Sequence, residues 1–203
     1  EFLYVLFTTK LLFEPYVINI QFNKIFKRYL FLLFSNLIGS ILVYYDRIFI
    51  YPLFGGTALA IYYASTIVGK TVSMITSPLT SVLLSYSAKI SHVPRKQYII
   101  YSFSVGFICC IGYFFCRLIS NPLILLLYPD YLIPAQEFIP ITIMISMLEV
   151  YYSFIWPLIF RFGKTSYPLL IVSIKAIIYI SFSILLVKTY NVMAICYAGF
   201  ISS

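Results

Sequence analysis

Long apolar runs alternate with short polar breaks along the chain, and the breaks fall where Pro, Gly, Asn and charge cluster. Residues 1–13 read as the end of one run, followed by a polar connection that closes on Asn23-Lys24-Ile25-Phe26-Lys27-Arg28. The next run is closed by Pro52 and Gly55-Gly56, and the one after it carries Pro78 inside and ends at the polar loop Lys89 to Gln97. A fourth ends at Asn121-Pro122, before a segment that holds Pro129-Asp130-Tyr131 and Pro134. A bilayer-spanning helix needs about 20 residues. The pattern therefore predicts spans at about 29–51, 58–88, 98–120, 138–160 and 168–188, and a last one that begins near 192 and is cut off. The fold class is all-α, a polytopic bundle of transmembrane helices.

Composition sharpens this. The chain has 203 residues, 62% apolar and only 10% charged, against roughly 25% charged in a soluble domain. So few charges cannot cover a water-facing surface, which excludes a soluble enzyme domain, a disordered tail and a disulfide scaffold. The formal net charge of +8 could point to an anionic partner, but its distribution points first to topology. Alternate connections hold Lys24, Lys27, Arg28; Lys89, Arg95, Lys96; and Arg161, Lys164, whereas the intervening ones hold only Lys188 and carry Asp130 and Glu137. Eight against one is a positive-inside bias. It places 23–28, 89–97 and 161–167 in the cytoplasm, and 52–57, 129–137 and 188–191 outside. Tyr44, Tyr45, Tyr51, Tyr62, Tyr63, Tyr128 and Tyr131, near span ends, read as aromatic belts. Nucleic acid is not an expected partner; the lipid bilayer is. The chain begins without Met and stops inside a helical pattern, and so reads as a fragment.

Loops do not explain Arg47 with its neighbour Asp46, Lys70, Arg117, Glu149 and Lys175. A charge at bilayer depth costs at least about 2.5 kcal/mol and normally faces a bundle interior or a wet cavity. Helical spacing supports that placement. Thr66, Lys70, Ser73, Ser77 and Ser81 share one face; so do Thr142, Ser146, Glu149 and Ser153, and likewise Lys175, Tyr179 and Ser183. Asn36, Ser40 and Arg47 align more loosely. Two readings stand side by side. In one, Ser and Thr bind helices together, Glu149 pairs with Lys70 or Lys175, and Arg47 and Arg117 reach the outer headgroups. In the other, the stripes line a lumen whose basic excess attracts an anion: Lys70 and Glu149 sit near the midplane, Lys175 in the inner half, and Arg47 and Arg117 toward the outer end. Cys109, Cys110, Cys116, Cys196 and His92 show no metal-ligand spacing and read as apolar filler and a loop residue. No cofactor or metal is expected, nor an enzyme: no nucleophile–base pair or phosphate-cradling Gly loop appears.

Several short motifs carry a resemblance. Phe22 to Lys27 with Ser35, then Asp46-Arg47-Ile48-Phe49-Ile50 and Gly55, resemble the basic approach to, and the Asp-Arg end of, the helix that opens the second lobe of polysaccharide (O-antigen, Wzx-type) flippases. These belong to the multidrug/oligosaccharidyl-lipid/polysaccharide exporter superfamily. Ala58-Leu59-Ala60-Ile61-Tyr62-Tyr63-Ala64 resembles the family's Ala-Leu-Gly-x-Tyr opening of the next helix, with Ala60 where Gly is usual. Leu127-Tyr128-Pro129-Asp130-Tyr131 with Ala135 resembles its outer turn, although Pro129 and Asp130 depart from the Gly-containing form. Arg161-Phe162-Gly163-Lys164-Thr165 resembles its short inner turn, and Tyr190 to Ala194 a Tyr-Gly-Ile-x-Gly segment with both glycines replaced.

The resemblance covers nearly the whole chain. It implies two pseudo-symmetric lobes, with residues 1–28 the end of a first-lobe helix and its cytoplasmic linker, and 29–203 the C-terminal lobe. It implies location in the bacterial cytoplasmic (inner) membrane and alternating-access transport of an undecaprenyl-diphosphate-linked oligosaccharide. Other polysaccharide-assembly membrane proteins would be partners. On that expectation Lys70 and Lys175 hold the diphosphate, Arg47 and Arg117 assist at the outer mouth, Glu149 carries a coupling ion, and Asp46 belongs to the helix-end motif. The alternatives are another exporter of the superfamily, for a peptidoglycan lipid precursor or for drugs and cations, or a membrane-embedded glycan polymerase or ligase. A fragment without transport function is a further alternative.

Overall fold

A computed structural model describes residues 22–90, 94–163 and 166–203. The expected run at 1–13, His92, Lys164 and Thr165 lie outside the described residues. Those described contain helices and no strand. The helices are α1 (Phe22–Lys89), α2 (Arg95–Leu127), α3 (Leu132–Ala135), α4 (Ile139–Phe162), α5 (Tyr167–Tyr190) and α6 (Met193–Ser202), with a 3-10 turn at Pro129–Tyr131 before α3. α1, α2, α4 and α5 are long and apolar enough to cross a membrane.

α1 has 68 residues and is not straight. Gly55 adopts φ 81°, ψ 178°, a region essentially reserved for glycine. A Cβ there would meet nothing within 4 Å, so backbone conformation, not space, requires the glycine. On a straight helix, at about 1.5 Å per residue, the Cα atoms of Arg47 and Tyr63 would lie about 24 Å apart. Instead the Arg47 guanidinium stands 5.2 Å from the Tyr63 ring centre, so α1 folds back sharply at Gly55. The expected break at 52–57 is thus a one-residue elbow, and Pro52 lies inside the first arm. The expected spans 29–51 and 58–88 lie in its two arms.

α2 also differs from expectation. It runs through Asn121-Pro122 to Leu127. Pro122 removes one backbone donor, but Ser120 and Ile124 beside it are fully buried, and Ile124 packs with Ile139, Leu123 and Leu132. Packing of that last turn outweighs the local breaker. The segment 129–137 is likewise no open loop. Pro129 starts a 3-10 turn, and Ala135 of α3 is fully buried. At the other end of α5, Asn191 turns the chain into α6 with φ 49°, which Asn tolerates better than most residues.

Two apolar clusters hold the bundle together. Val68 of α1, Val105, Cys109 and Cys116 of α2, and Ile139, Ile143 and Met147 of α4 form the first. Ile50 and Tyr62 of α1, Tyr179 of α5, and Ile195, Cys196 and Ala198 of α6 form the second, around the elbow. α4 is central, packed against both α1 and α2. Small residues let it approach α1 closely. A Cβ on Gly69 would collide with Ser146, whose Cβ would lie 2.7 Å away, and Thr142 Oγ1 donates to the Ser65 carbonyl at 3.0 Å. This is the small-residue, hydroxyl-linked contact of membrane helices. Tyr101 donates to the Phe154 carbonyl at 3.1 Å and Ser102 Oγ lies 2.6 Å from the Tyr151 hydroxyl, tying α2 to α4. The outer faces carry large exposed apolar side chains, such as Phe103, Phe107, Phe114, Leu118 and Leu126. Such extended apolar faces are consistent with a lipid bilayer.

Candidate functional site

The elbow creates the site. Folding back at Gly55 returns Asp46 and Arg47, near the end of the first arm, to Tyr62 and Tyr63, near the start of the second. Asp46 Oδ1 accepts the Arg47 backbone N–H at 2.9 Å, and the buried Tyr62 packs with Ile50 around the elbow. The Arg47 guanidinium lies 5.3 Å from the Tyr44 ring and 5.2 Å from the Tyr63 ring. Lys70, two turns beyond Tyr63 on the same face, places its ammonium 3.6 Å from the same Tyr63 ring. One aromatic ring thus holds two cations, each such contact contributing roughly 0.5–2 kcal/mol. Among the described residues, neither cation has a carboxylate oxygen within 4 Å. Their N–H donors are not consumed by π contact, and a second anion can take them.

Beside this cluster an open cleft of about 260 Å³ is lined by Arg47, Gly56, Leu59, Ala60 and Tyr63 of α1, by Tyr128 just before the 3-10 turn and by Tyr131 at its end. Toward the other end of the second arm, the stripe that starts at Lys70 continues as exposed hydroxyls. Ser73, Ser81 and Ser85 each donate to a carbonyl three or four residues back, as do Thr76 and Thr80. Self-bonded hydroxyls can face lipid or water without an orphaned donor.

A second charged group forms where α4 meets α5. Lys175 Nζ is 3.5 Å from Glu149 Oε1 and 5.8 Å from the Tyr152 ring centre. Tyr152, Trp156 and Phe160 pack ring against ring in succession, tilted at 5.0 Å and edge-on at 5.3 Å, and the buried Tyr152 hydroxyl has no partner among the described residues. Tyr179 of α5 packs in the elbow cluster, its ring 5.2 Å from that of Tyr45.

The predicted residues are therefore regrouped. Arg47, Asp46 and Lys70 come together. Lys175 sits with Glu149, as one of the two sequence readings had it, and not with Lys70. Arg117 is exposed on α2, where Phe114, Phe115 and Leu118 are exposed as well, and joins neither group. Thr142 and Ser146 face α1 as helix glue. Sequence reasoning read Tyr63, Tyr128 and Tyr131 as belt residues. For Tyr63 a signal existed, since Tyr63, Thr66 and Lys70 step by three and four along one face. For Tyr128 and Tyr131 there was none, because some 60 residues separate them from Tyr63. No family model, no curated protein and no solved structure matches the chain.

Proposed function

We propose that the chain belongs to a multi-pass transporter of the bacterial cytoplasmic membrane that moves a diphosphate-linked oligosaccharide from the inner to the outer leaflet by alternating access. The observation that carries this reading is the Arg47–Lys70 pair on Tyr63, two cations with no carboxylate oxygen within 4 Å among the described residues, beside an open cleft. An anion with two charged oxygens answers both. Arg47 contributes a planar fork of donors and Lys70 a compact point charge, in surroundings less polar than water, where each contact strengthens. The positive-inside distribution puts the elbow and the 129–131 turn at the outer mouth, so the pair meets the diphosphate of a substrate leaving the lumen. Lys175 and Glu149, a neutral pair between α4 and α5, would part and re-form as the lobe moves, with Glu149 carrying the coupling ion. Arg117 reaches the outer headgroups.

The test is substitution in the whole gene product. Lys70→Ala and Arg47→Ala, at normal protein levels, should each abolish or strongly reduce surface polysaccharide, and Lys70→Arg should retain part of it. Unchanged export in both alanine variants would refute the cationic site. The same pair would serve a peptidoglycan lipid precursor, and complementation of export with one or the other substrate separates the two. An exporter of organic cations fits poorly, because Asp46, Arg47 and Lys70 together carry net positive charge.

A further inference from the structure

We propose that the cleft at the elbow is a subsite for a single sugar ring, the one next to the phosphate, packed on Tyr128 and Tyr131 while Arg47 holds the phosphate. The proposal rests on the transport reading above and adds the part of the substrate that this cleft recognises.

Size argues for one ring. At about 260 Å³ the cleft falls below the roughly 300–1,000 Å³ of pockets that hold drug-sized ligands. One ring fits within it, and the rest of an oligosaccharide would lie outside its open mouth. The floor is set by Gly56 and Ala60, four residues apart on one face of the second arm. A Cβ on Gly56 would touch only Tyr51, at 3.9 Å, so small side chains at these positions leave the space open rather than relieve a clash.

Chemistry argues for a sugar. The lining combines one guanidinium with three tyrosines, Leu59 and the small residues Gly56 and Ala60. Tyrosine has an apolar ring and a polar tip; a pyranose likewise has apolar C–H faces and a hydroxyl rim. Tyr63 is already engaged by Arg47 and Lys70, which leaves Tyr128 and Tyr131. The 3-10 turn at Pro129–Tyr131 brings those two together. Tyr131 N–H donates to the Tyr128 carbonyl at 3.1 Å, which closes the turn, and both side chains line the cleft. Both rings are only part-buried, so a ligand can reach them. Arg47 supplies the charge that a phosphate next to the sugar requires.

The experiment uses the whole gene product in lipid nanodiscs and two probes in calorimetry: farnesyl diphosphate, and farnesyl diphosphate carrying one N-acetylglucosamine. The wild type should bind the sugar-bearing probe about tenfold tighter. The double variant Tyr128→Ala/Tyr131→Ala, and separately Ala60→Leu, which fills the cleft, should make the two affinities equal. Tyr128→Phe/Tyr131→Phe should keep most of the preference, and Arg47→Ala should weaken both probes. Equal affinities in the wild type, or tyrosine variants that weaken both probes alike, would overturn the sugar subsite and leave the diphosphate reading standing. Failure of the wild type to bind either probe would overturn both.

Discussion

The Arg47–Lys70 group and the Lys175–Glu149 group use the same residue types on neighbouring helices, yet they end in different electrostatic states. Lys175 meets a carboxylate at 3.5 Å and is neutralised. Lys70 meets a tyrosine ring at 3.6 Å, and an aromatic face attracts a cation without cancelling its charge. Asp46 accepts the Arg47 backbone N–H, and its carboxylate is not within 4 Å of either cation. What distinguishes a structural charge from one free to bind is therefore the partner that the fold delivers. One group carries a net positive charge toward a cleft; the other closes on itself.

The sharpest way to break this contrast is to remove the first group. Arg47→Ala/Lys70→Ala should lower affinity for farnesyl diphosphate by about 3–6 kcal/mol if each charged contact is worth roughly 1.5–3 kcal/mol, while Lys175→Ala should lower it by far less; calorimetry in nanodiscs reads both. Equal losses would erase the distinction between the groups.

The elbow comes next. Gly55→Val forces a side chain into a backbone region that costs on the order of 1–3 kcal/mol. Thermal stability in detergent should fall accordingly. Binding should fall further than stability, because the elbow alone brings Arg47 to Tyr63.

Gly69→Ala tests the packing that supports both groups. The added Cβ meets Ser146, and overpacking of this kind costs about 1–3 kcal/mol. Ser146→Gly in the same chain should restore most of the lost melting temperature, and absence of such rescue would locate the damage elsewhere.

The smallest effect belongs to the second group. Its side chains are 26% and 58% exposed, so Glu149→Gln should change stability by no more than about 1 kcal/mol. The charge swap Glu149→Lys/Lys175→Glu should then keep the melting temperature near normal, because the pair re-forms, yet lower export, because the coupling carboxylate is displaced. Export near normal in the swap would show that Glu149 only pairs.

Much of the helical layout was legible in the chain, for stated reasons. Gly55 announced a break because no other residue tolerates its conformation, although the break proved to be one residue and not a loop. Asn121-Pro122 misled, because local propensity yields when Ile124 and Ser120 can be buried against α4 and α3. The stripe through Thr66 and Lys70 marked the face that carries the cations. Its counterpart through Thr142 and Ser146 marked a helix contact instead, since a hydroxyl looks the same in sequence whether it meets water or a neighbouring glycine.

Period, composition and charge placement by themselves determined that the described chain is helical, that its helices suit a membrane, and which residues share a face. Those properties depend on neighbours within a few turns. Only the tertiary structure decided that Lys175 takes Glu149, that Lys70 takes Tyr63, and that Tyr128 and Tyr131 close the cleft beside Arg47. Each of these pairs joins residues from separate arms, turns or helices, or depends on which competing partner arrives first in space. Helical period carries no information about that; the elbow at Gly55 and the close approach of α4 to Gly69 supply it.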